Sequence, residues 1–416
     1  MSIWDRTPVK PGGPLRVLWH SNGPNLGSGY GKQSGLAIPA LKSLGCEVAI
    51  ASTVGQHVAM SEWNGFPVYP ASRTDMNGYD SLAAYAKHWQ ADIVISLYDI
   101  WMAKPQHVKN IRWCPLFPID AAPMSKMVAD KSKLAYQPMV YSQFGLEQAR
   151  AIGLEPLYVP HMVDTETYQP LDQNACRDLV GLPRDAFIFG IVAANTDEIG
   201  RKAFYEQIEA FSIFAKKHDD AILYLHTAMD GRLQRGVDLW AVIDYFGIAD
   251  KVRHSDQNLM GLGLISDVDL AIIYNTFDCF LSVSMGEGFG VPILEAQACG
   301  KPVITGDWSA MSEISFVGCQ VRKEDANREF NQLLSYWYKP KPLAIYYELE
   351  LMYDYLATNG YRKGFGERAR NGALEYSIEN VTERYWKPAL EAIKTKIANE
   401  PKPVAARSFF QQLEVV

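Results

Sequence analysis

The sequence predicts an α/β protein built from two doubly wound parallel-sheet domains in tandem, facing each other across a cleft. Short apolar runs of strand length alternate with helix-spaced apolar patterns along most of the chain, the rhythm of βαβ units covered on both faces. That rhythm lapses once, between Pro160 and Arg184, where residues 164–174 are polar and include Pro170, as suits an interdomain linker. The chain has 416 residues, more than a single core usually serves. The expected division is a first Rossmann-like domain at 1–163 and a second at 164–378.

In the first domain, strands are expected at 15–20, 47–51, 93–97, 112–117, 139–142 and 157–160, with helices at 31–44 and 81–89. Strands at 187–192, 221–226, 279–283 and 302–305 follow the linker, interleaved with helices at 202–217, 237–245, 267–276 and 292–299. Residues 343–397 read as helical and rich in Tyr and Trp. Beyond 398 a loosely held end is expected, with Phe409 and Phe410 as docking side chains. Ligands of doubly wound sheets bind at the carboxyl ends of the strands, so the cleft is the expected site.

Hydrophobic residues make up 48% and charged residues 21%, ordinary for a soluble domain. A net charge of -7 and a pI of about 5.7 exclude a general basic field for a polyanion and leave room only for a local groove. The cysteines (46, 114, 176, 279, 299, 319) form no C-x-x-C pair and read as reduced core residues. Residues 1–14 are polar and lack the apolar run of a signal peptide, and no eighteen apolar residues run together, so a cytoplasmic location is expected.

The strongest constellation runs from Ser282 to Thr305: S-V-S-M-G-E-G-F-G-V-P-I-L-E-A-Q-A-C-G-K-P-V-I-T. A strand ends, a glycine-rich turn follows, and a helix opens at Pro292, a residue favoured at the first helical position. Free N–H groups and the helix dipole there suit a diphosphate. Glu287 in the turn and Glu295 one helical turn on can face one pocket, where carboxylates accept hydrogen bonds from sugar hydroxyls. On spacing alone, a glycine turn with a solvated Glu before a capped helix is an equal reading.

The full string resembles the E-x7-E motif of the retaining GT-B glycosyltransferase family 4, in the form E-G-F-G-x-P-x-x-E-A-x-A-x-G-x-P-V. Other segments carry the resemblance along the chain: 159–164, 190–195 followed by Arg201-Lys202, 265–278, Ser309 to Glu313, and 377–386. The resemblance implies a GT-B fold, with residues 379–416 as a terminal helix returning to the first, acceptor-side domain. It implies a nucleotide-diphospho-sugar donor, a UDP- or GDP-sugar first, and transfer of a hexose with retention and without a metal or cofactor. Glu287, Gly288, Phe289, Gly290 and Val291 would meet the donor sugar, and Glu295 the ribose. Arg201 and Lys202 would take the diphosphate and stabilise the leaving group. The family usually has Arg where this chain places Asn195, so the usual phosphate pair is only partly present.

The first-domain loop N-G-P-N-L-G-S-G-Y-G-K-Q, from Asn22 to Gln33, is neither a P-loop nor a dinucleotide fingerprint. Leu26 stands where a P-loop needs Gly, Gln33 where it needs Ser or Thr, and the glycines are spaced G-x-G-x-G. The resemblance places this loop opposite the donor, with Gly29 and Gly31 in close contact and Lys32 offering charge. Asp120 lies at the carboxyl tip of a strand, where the resemblance implies a catalytic residue touching the donor sugar or the acceptor; a helix cap before Ala121 is the other reading. Tyr98, Asp99 and Trp101 follow another strand end, and Ser142 reads as a post-strand site residue or an N-cap. Asp267-Val-Asp269 matches a D-x-D metal motif but is explained by a helix start after Ser266. Histidines are dispersed, and no metal site is expected. The acceptor stays open: a small molecule, lipid, polysaccharide, protein or nucleic-acid base. Competing readings are a sugar-nucleotide hydrolase or epimerase, a phosphorylase, and a non-catalytic sugar-nucleotide sensor.

Overall fold

A computed structural model describes residues 13–55, 57–196, 200–231, 235–358 and 362–400. Phe409 and Phe410 lie outside the described residues.

The first sheet has eight strands: β1 (Arg16–Ser21), β2 (Glu47–Ser52), β3 (Ser61–Trp63), β4 (Phe66–Tyr69), β5 (Ile93–Leu97), β6 (Trp113–Phe117), β7 (Met139–Val140) and β8 (Leu157–Tyr158). Their order is β3-β4-β2-β1-β5-β6-β7-β8, parallel except for β3, which turns back on β4. The second sheet contains β9 (Phe187–Val192), β10 (Ala221–His226), β11 (Val252–His254), β12 (Cys279–Ser282), β13 (Val303–Gly306) and β14 (Gly318–Val321), in the order β11-β10-β9-β12-β13-β14, all parallel. Central strands such as β1 and β9 are buried at every position, which is why they read as apolar runs rather than alternations.

The structure adds elements to the sequence reading. The lapse in rhythm between Pro160 and Arg184 holds the helix Gln173–Val180, capped by Asp172, whose carboxylate accepts from Ala175 N at 2.7 Å. The buried face of this helix carries Arg177, which bonds Asp278 at 2.8 Å in the second core. A hairpin of β15 (Ala326–Phe330) and β16 (Tyr336–Pro340) follows β14. Its turn is held by the Asn331 carboxamide oxygen, which accepts from Leu333 N at 3.0 Å and Ser335 N at 3.1 Å. The hairpin crosses the cleft: Ala122 N donates to Tyr336 O at 3.2 Å and Tyr338 N to Met285 O at 3.0 Å.

The helix Lys387–Ala398 packs back on the first sheet. Trp386, just before it, meets Trp19 at 6.0 Å between ring centroids, and Tyr385 meets Tyr158 at 5.3 Å. All six cysteines are buried and free. Among the described residues no helix is long and apolar enough to cross a membrane.

Candidate active site at the interdomain cleft

The glycine turn between β12 and the helix Val291–Ala298 lies against the first domain. The helix opens one residue earlier than expected, at Val291, and Pro292 is its second residue. Gly290 caps it with φ +103, a left-handed conformation that favours glycine. A Cβ on Gly288 would stand 2.6 Å from Pro118 Cβ and 3.2 Å from Tyr141 Oη, so only glycine lets the domains approach there. The Phe289 ring is buried near His161 and Tyr141, at 5.2 and 6.1 Å between centroids. Its side chain therefore serves the interdomain core, and only its backbone is left to meet a ligand. Trp308 Nε1 donates to Ser284 O at 3.0 Å, and Glu287 N donates to Ser309 Oγ at 3.1 Å. These two bonds fix the turn from β13's loop.

Glu287 is 7% exposed and bracketed by cations. Lys202 Nζ bonds Oε1, and Arg201 Nη1 lies 3.2 Å from Oε2 while donating to Gly286 O at 2.5 Å. Burial pushes the Glu287 carboxyl upward, but Lys202 and Arg201 outweigh it and hold it at about 2. The carboxylate is thus ionised at neutral pH. Both cations follow β9, and Met285 N bonds Arg201 O at 2.8 Å, so the cation loop and the glutamate turn are stitched together.

Glu295 is 4% exposed, accepts from Tyr274 Oη at 2.7 Å and lies 3.5 Å from Lys32 Nζ. Lys32 belongs to the first-domain helix Gly29–Ser43 and spans the cleft, also pairing with Asp267 at 2.5 Å and Tyr168 Oη at 3.0 Å. Burial lowers the Lys32 pKa, but Glu295 and Asp267 more than reverse it. Asp269 completes a capping box with Ser266, so the two acids of the D-x-D string do separate jobs: one caps its helix and the other holds Lys32.

The structure gives Asn195 and Gly31 packing roles. Asn195 is buried, and its amide donates to Ala228 O at 2.9 Å and Val237 O at 2.7 Å while accepting from Val237 N at 2.8 Å. It staples two loops of the second domain and is no stand-in for a phosphate-binding side chain. Gly31 faces its own loop: a Cβ there would stand 2.3 Å from Leu26 O, so its role is to close the loop. Gly29, by contrast, has no heavy atom within 4 Å of its Cβ position and opens the helix after the Ser28 cap.

The first-domain wall is tyrosine-rich and acidic. Tyr30 and Tyr98 lie 5.6 Å apart between ring centroids. Asp99 follows β5, and Asp120 follows β6, the adjacent strand. Burial raises the Asp99 carboxyl to about 6, the charge of Asp120 adds to this, and Arg201 opposes it. Burial likewise raises Asp120, against Arg201 and with Glu287. Sequence reasoning noted Asp99 only as a strand-end acid; its coupling to Asp120 arises because β5 and β6 are neighbours. Trp101 packs on the first-domain core. Ser142 caps the helix Gln143–Arg150, accepting from Gly145 N at 3.0 Å. Glu313 reaches the same helix from the second domain, accepting from Gln143 N and Phe144 N, each at 2.9 Å.

Two facing parallel-sheet domains align with solved structures over nearly their whole length. One is a sucrose-phosphate synthase from Thermosynechococcus elongatus: TM-score 0.71, 15% identity, covering 92% of this chain and 100% of that one. Another is the Anabaena protein HepE in complex with UDP-glucose: TM-score 0.66, 11% identity, covering 91% and 100%. The fold is GT-B. Residues 198–337, which hold Arg201, Lys202, Glu287 and Glu295, match the family described as Glycosyl transferases group 1. A D-inositol 3-phosphate glycosyltransferase from Mycobacterium sp. (strain JLS) is 31% identical over 146 residues, 34% of this chain and 29% of that protein. O-antigen chain mannosyltransferase B from Escherichia coli is 42% identical over 53 residues, 13% of this chain and 14% of that protein. The family match falls on the second domain, and the chain matches less than a third of either relative.

Proposed function

We propose that the chain is a glycosyltransferase that moves a hexose from a nucleotide-diphospho-sugar, a UDP- or GDP-sugar first, to an acceptor hydroxyl, with retention and without a metal. The observation that carries this reading is the buried Glu287 held between Lys202 and Arg201 at the mouth of a GT-B cleft. The two cations form a preformed diphosphate site whose charge Glu287 balances until a donor arrives. Donor phosphates then take Lys202 and Arg201, and the freed Glu287 carboxylate accepts hydrogen bonds from the sugar hydroxyls. Glu295 is set for the ribose, with Tyr274 orienting it. As the glycosidic bond breaks, negative charge grows on the β-phosphate, where Arg201 and Lys202 stabilise it as preorganised groups. Asp120, with Asp99 beside it, orients the acceptor hydroxyl. Domain closure excludes water and limits donor hydrolysis. Six buried free cysteines fit a reducing compartment such as the cytoplasm.

The test is a thermal-shift screen with UDP-, GDP-, ADP- and TDP-sugars, since a ligand that binds the native state raises its melting temperature by mass action. One donor class is expected to stabilise the protein. Turnover of that donor is expected to survive EDTA, and the product anomer by NMR is expected to match the donor's. Absence of stabilisation by all four classes sinks the reading; loss of turnover in EDTA sinks the metal-independent part of it.

A further inference from the structure

Asp120 also borders a second space. A cavity of about 150 Å³ opens beside it, far larger than the ~15 Å³ that one water needs. The first domain supplies Asp120 and Phe144, the loop after β13 supplies Asp307, Trp308 and Ser312, and the crossing hairpin supplies Tyr336 and Tyr338. Asp307 Oδ1 is buried and has no hydrogen-bond partner among the described residues. A buried oxygen of this kind is costly unless something donates to it. Burial raises the Asp307 carboxyl, against a hydrogen bond from the Lys323 backbone and the charges of Lys323 and Arg322. The Trp308 N–H is already committed to Ser284 O, and the Trp308 and Tyr338 rings lie 5.9 Å apart at 40°. Lys323 Nζ stands 4.7 Å from the Tyr338 ring centroid.

The cavity is joined to the donor side by one residue. Ser309 has φ 55, a left-handed conformation that is strained for serine, and its Oγ receives the Glu287 N–H. Strain of this kind persists where surrounding contacts over-determine it, and it gathers at functional sites. The loop carrying Asp307 is therefore locked to the glutamate turn.

We propose that this cavity is an acceptor subsite for an uncharged, hydroxyl-rich ring, a pyranose or a cyclitol. Its C–H face rests on Tyr336 and Tyr338 and its hydroxyls reach Asp307 and Asp120. Aromatic walls with a few convergent polar groups are the usual makeup of a small-ligand site, and the two carboxyls of the lining offer acceptors to the hydroxyls of a neutral ring. This proposal rests on the glycosyltransferase reading, because a hydroxyl at Asp120 is then held beside Arg201 and Glu287.

Saturation-transfer NMR on the full chain, with saturating UDP or GDP, tests it. The probes are methyl glucoside, methyl mannoside and myo-inositol, up to tens of millimolar. At least one is expected to bind, with Asp307→Ala and Tyr338→Ala each weakening it about tenfold or more, the effect of losing one charged hydrogen bond or one aromatic wall. Donor affinity and melting temperature should stay near the parent's in at least one of the two variants. Which probe binds separates a pyranose from a cyclitol. No binding by any probe overturns the proposal, as does binding that both variants leave unchanged. Failure of every nucleotide sugar to bind is the separate failure of the glycosyltransferase reading, and ring binding lost in both variants would still support the cavity as a site.

Discussion

The two walls of the cleft solve the problem of buried charge in opposite ways. On the second-domain wall, Glu287 is matched by Lys202 and Arg201 and is held at about 2. On the first-domain wall, Asp99 and Asp120 crowd each other among tyrosines, and burial raises both carboxyls, Asp99 to about 6. Buried groups shift toward neutrality when unpaired and stay charged when paired. A wall with balanced charge suits a ligand that brings its own, as a diphosphate does. A wall with raised carboxyls suits a neutral ligand whose hydroxyl exchanges hydrogen bonds or a proton with them.

The largest expected effect breaks the balanced wall. Glu287→Ala removes the carboxylate proposed to receive the sugar, and kcat is expected to fall about 10²–10³-fold, the range for losing one preorganised transition-state contact. Diphosphate binding should survive, because Lys202 and Arg201 remain and lose their internal competitor. Measuring kcat together with UDP or GDP affinity checks both halves. A variant with normal kcat would dissolve the distinction between the walls.

A smaller effect probes the raised wall. If ionised Asp99 orients the acceptor, kcat/KM climbs with pH and levels off above about 6. Asp99→Asn is expected to remove that inflection and to lower kcat/KM at pH 7.5 about tenfold. Stability carries the opposite sign. The folded-state pKa is raised, so the native state keeps a proton that the unfolded chain has already lost, and stability declines as pH rises through about 6. Asp99→Asn should therefore melt higher than the parent at neutral pH, by a margin that shrinks below pH 6. A pH profile identical in parent and variant would count against any role for Asp99.

What the sequence made legible divides along the same line. β9 and β10 were expected at 187–192 and 221–226 and occur there, because strands buried on both faces leave an unbroken apolar signature. The strand, glycine turn and helix that carry Glu287 and Glu295 were readable because their pattern stays within a few residues. The role of Asn195 was not legible because its partner Val237 is 42 residues away. The packing role of Gly31 was not legible because a glycine kept for close packing looks like one kept for a ligand. The Asp99–Asp120 pair depends on strand order, which no local pattern encodes. The β15–β16 hairpin was missed because Arg328, Glu329 and Lys339 mix with aromatics in strands that bury little of one face. The helix Gln173–Val180 was missed because it buries only Cys176 and an arginine, Arg177, whose partner, Asp278, is 101 positions on.

The smallest effect tests whether the walls are held at a set distance. Glu313 reaches from the second domain to accept from two backbone N–H groups at the start of the first-domain helix Gln143–Arg150. The helix keeps its own cap, Ser142, so Glu313→Ala should leave the helix formed and weaken only the contact between domains. A carboxylate at a helix N-terminus contributes about 1 kcal/mol, which for a protein of this size lowers the melting temperature by roughly 2 °C. If the contact also sets the spacing of the walls, donor KM rises a few-fold while kcat stays close to the parent value, because the groups at the reacting bond are untouched. A fall in kcat with unchanged KM would mean instead that Glu313 acts through the turn at Ser309 on Glu287, and the two walls would then have to be treated as one coupled site.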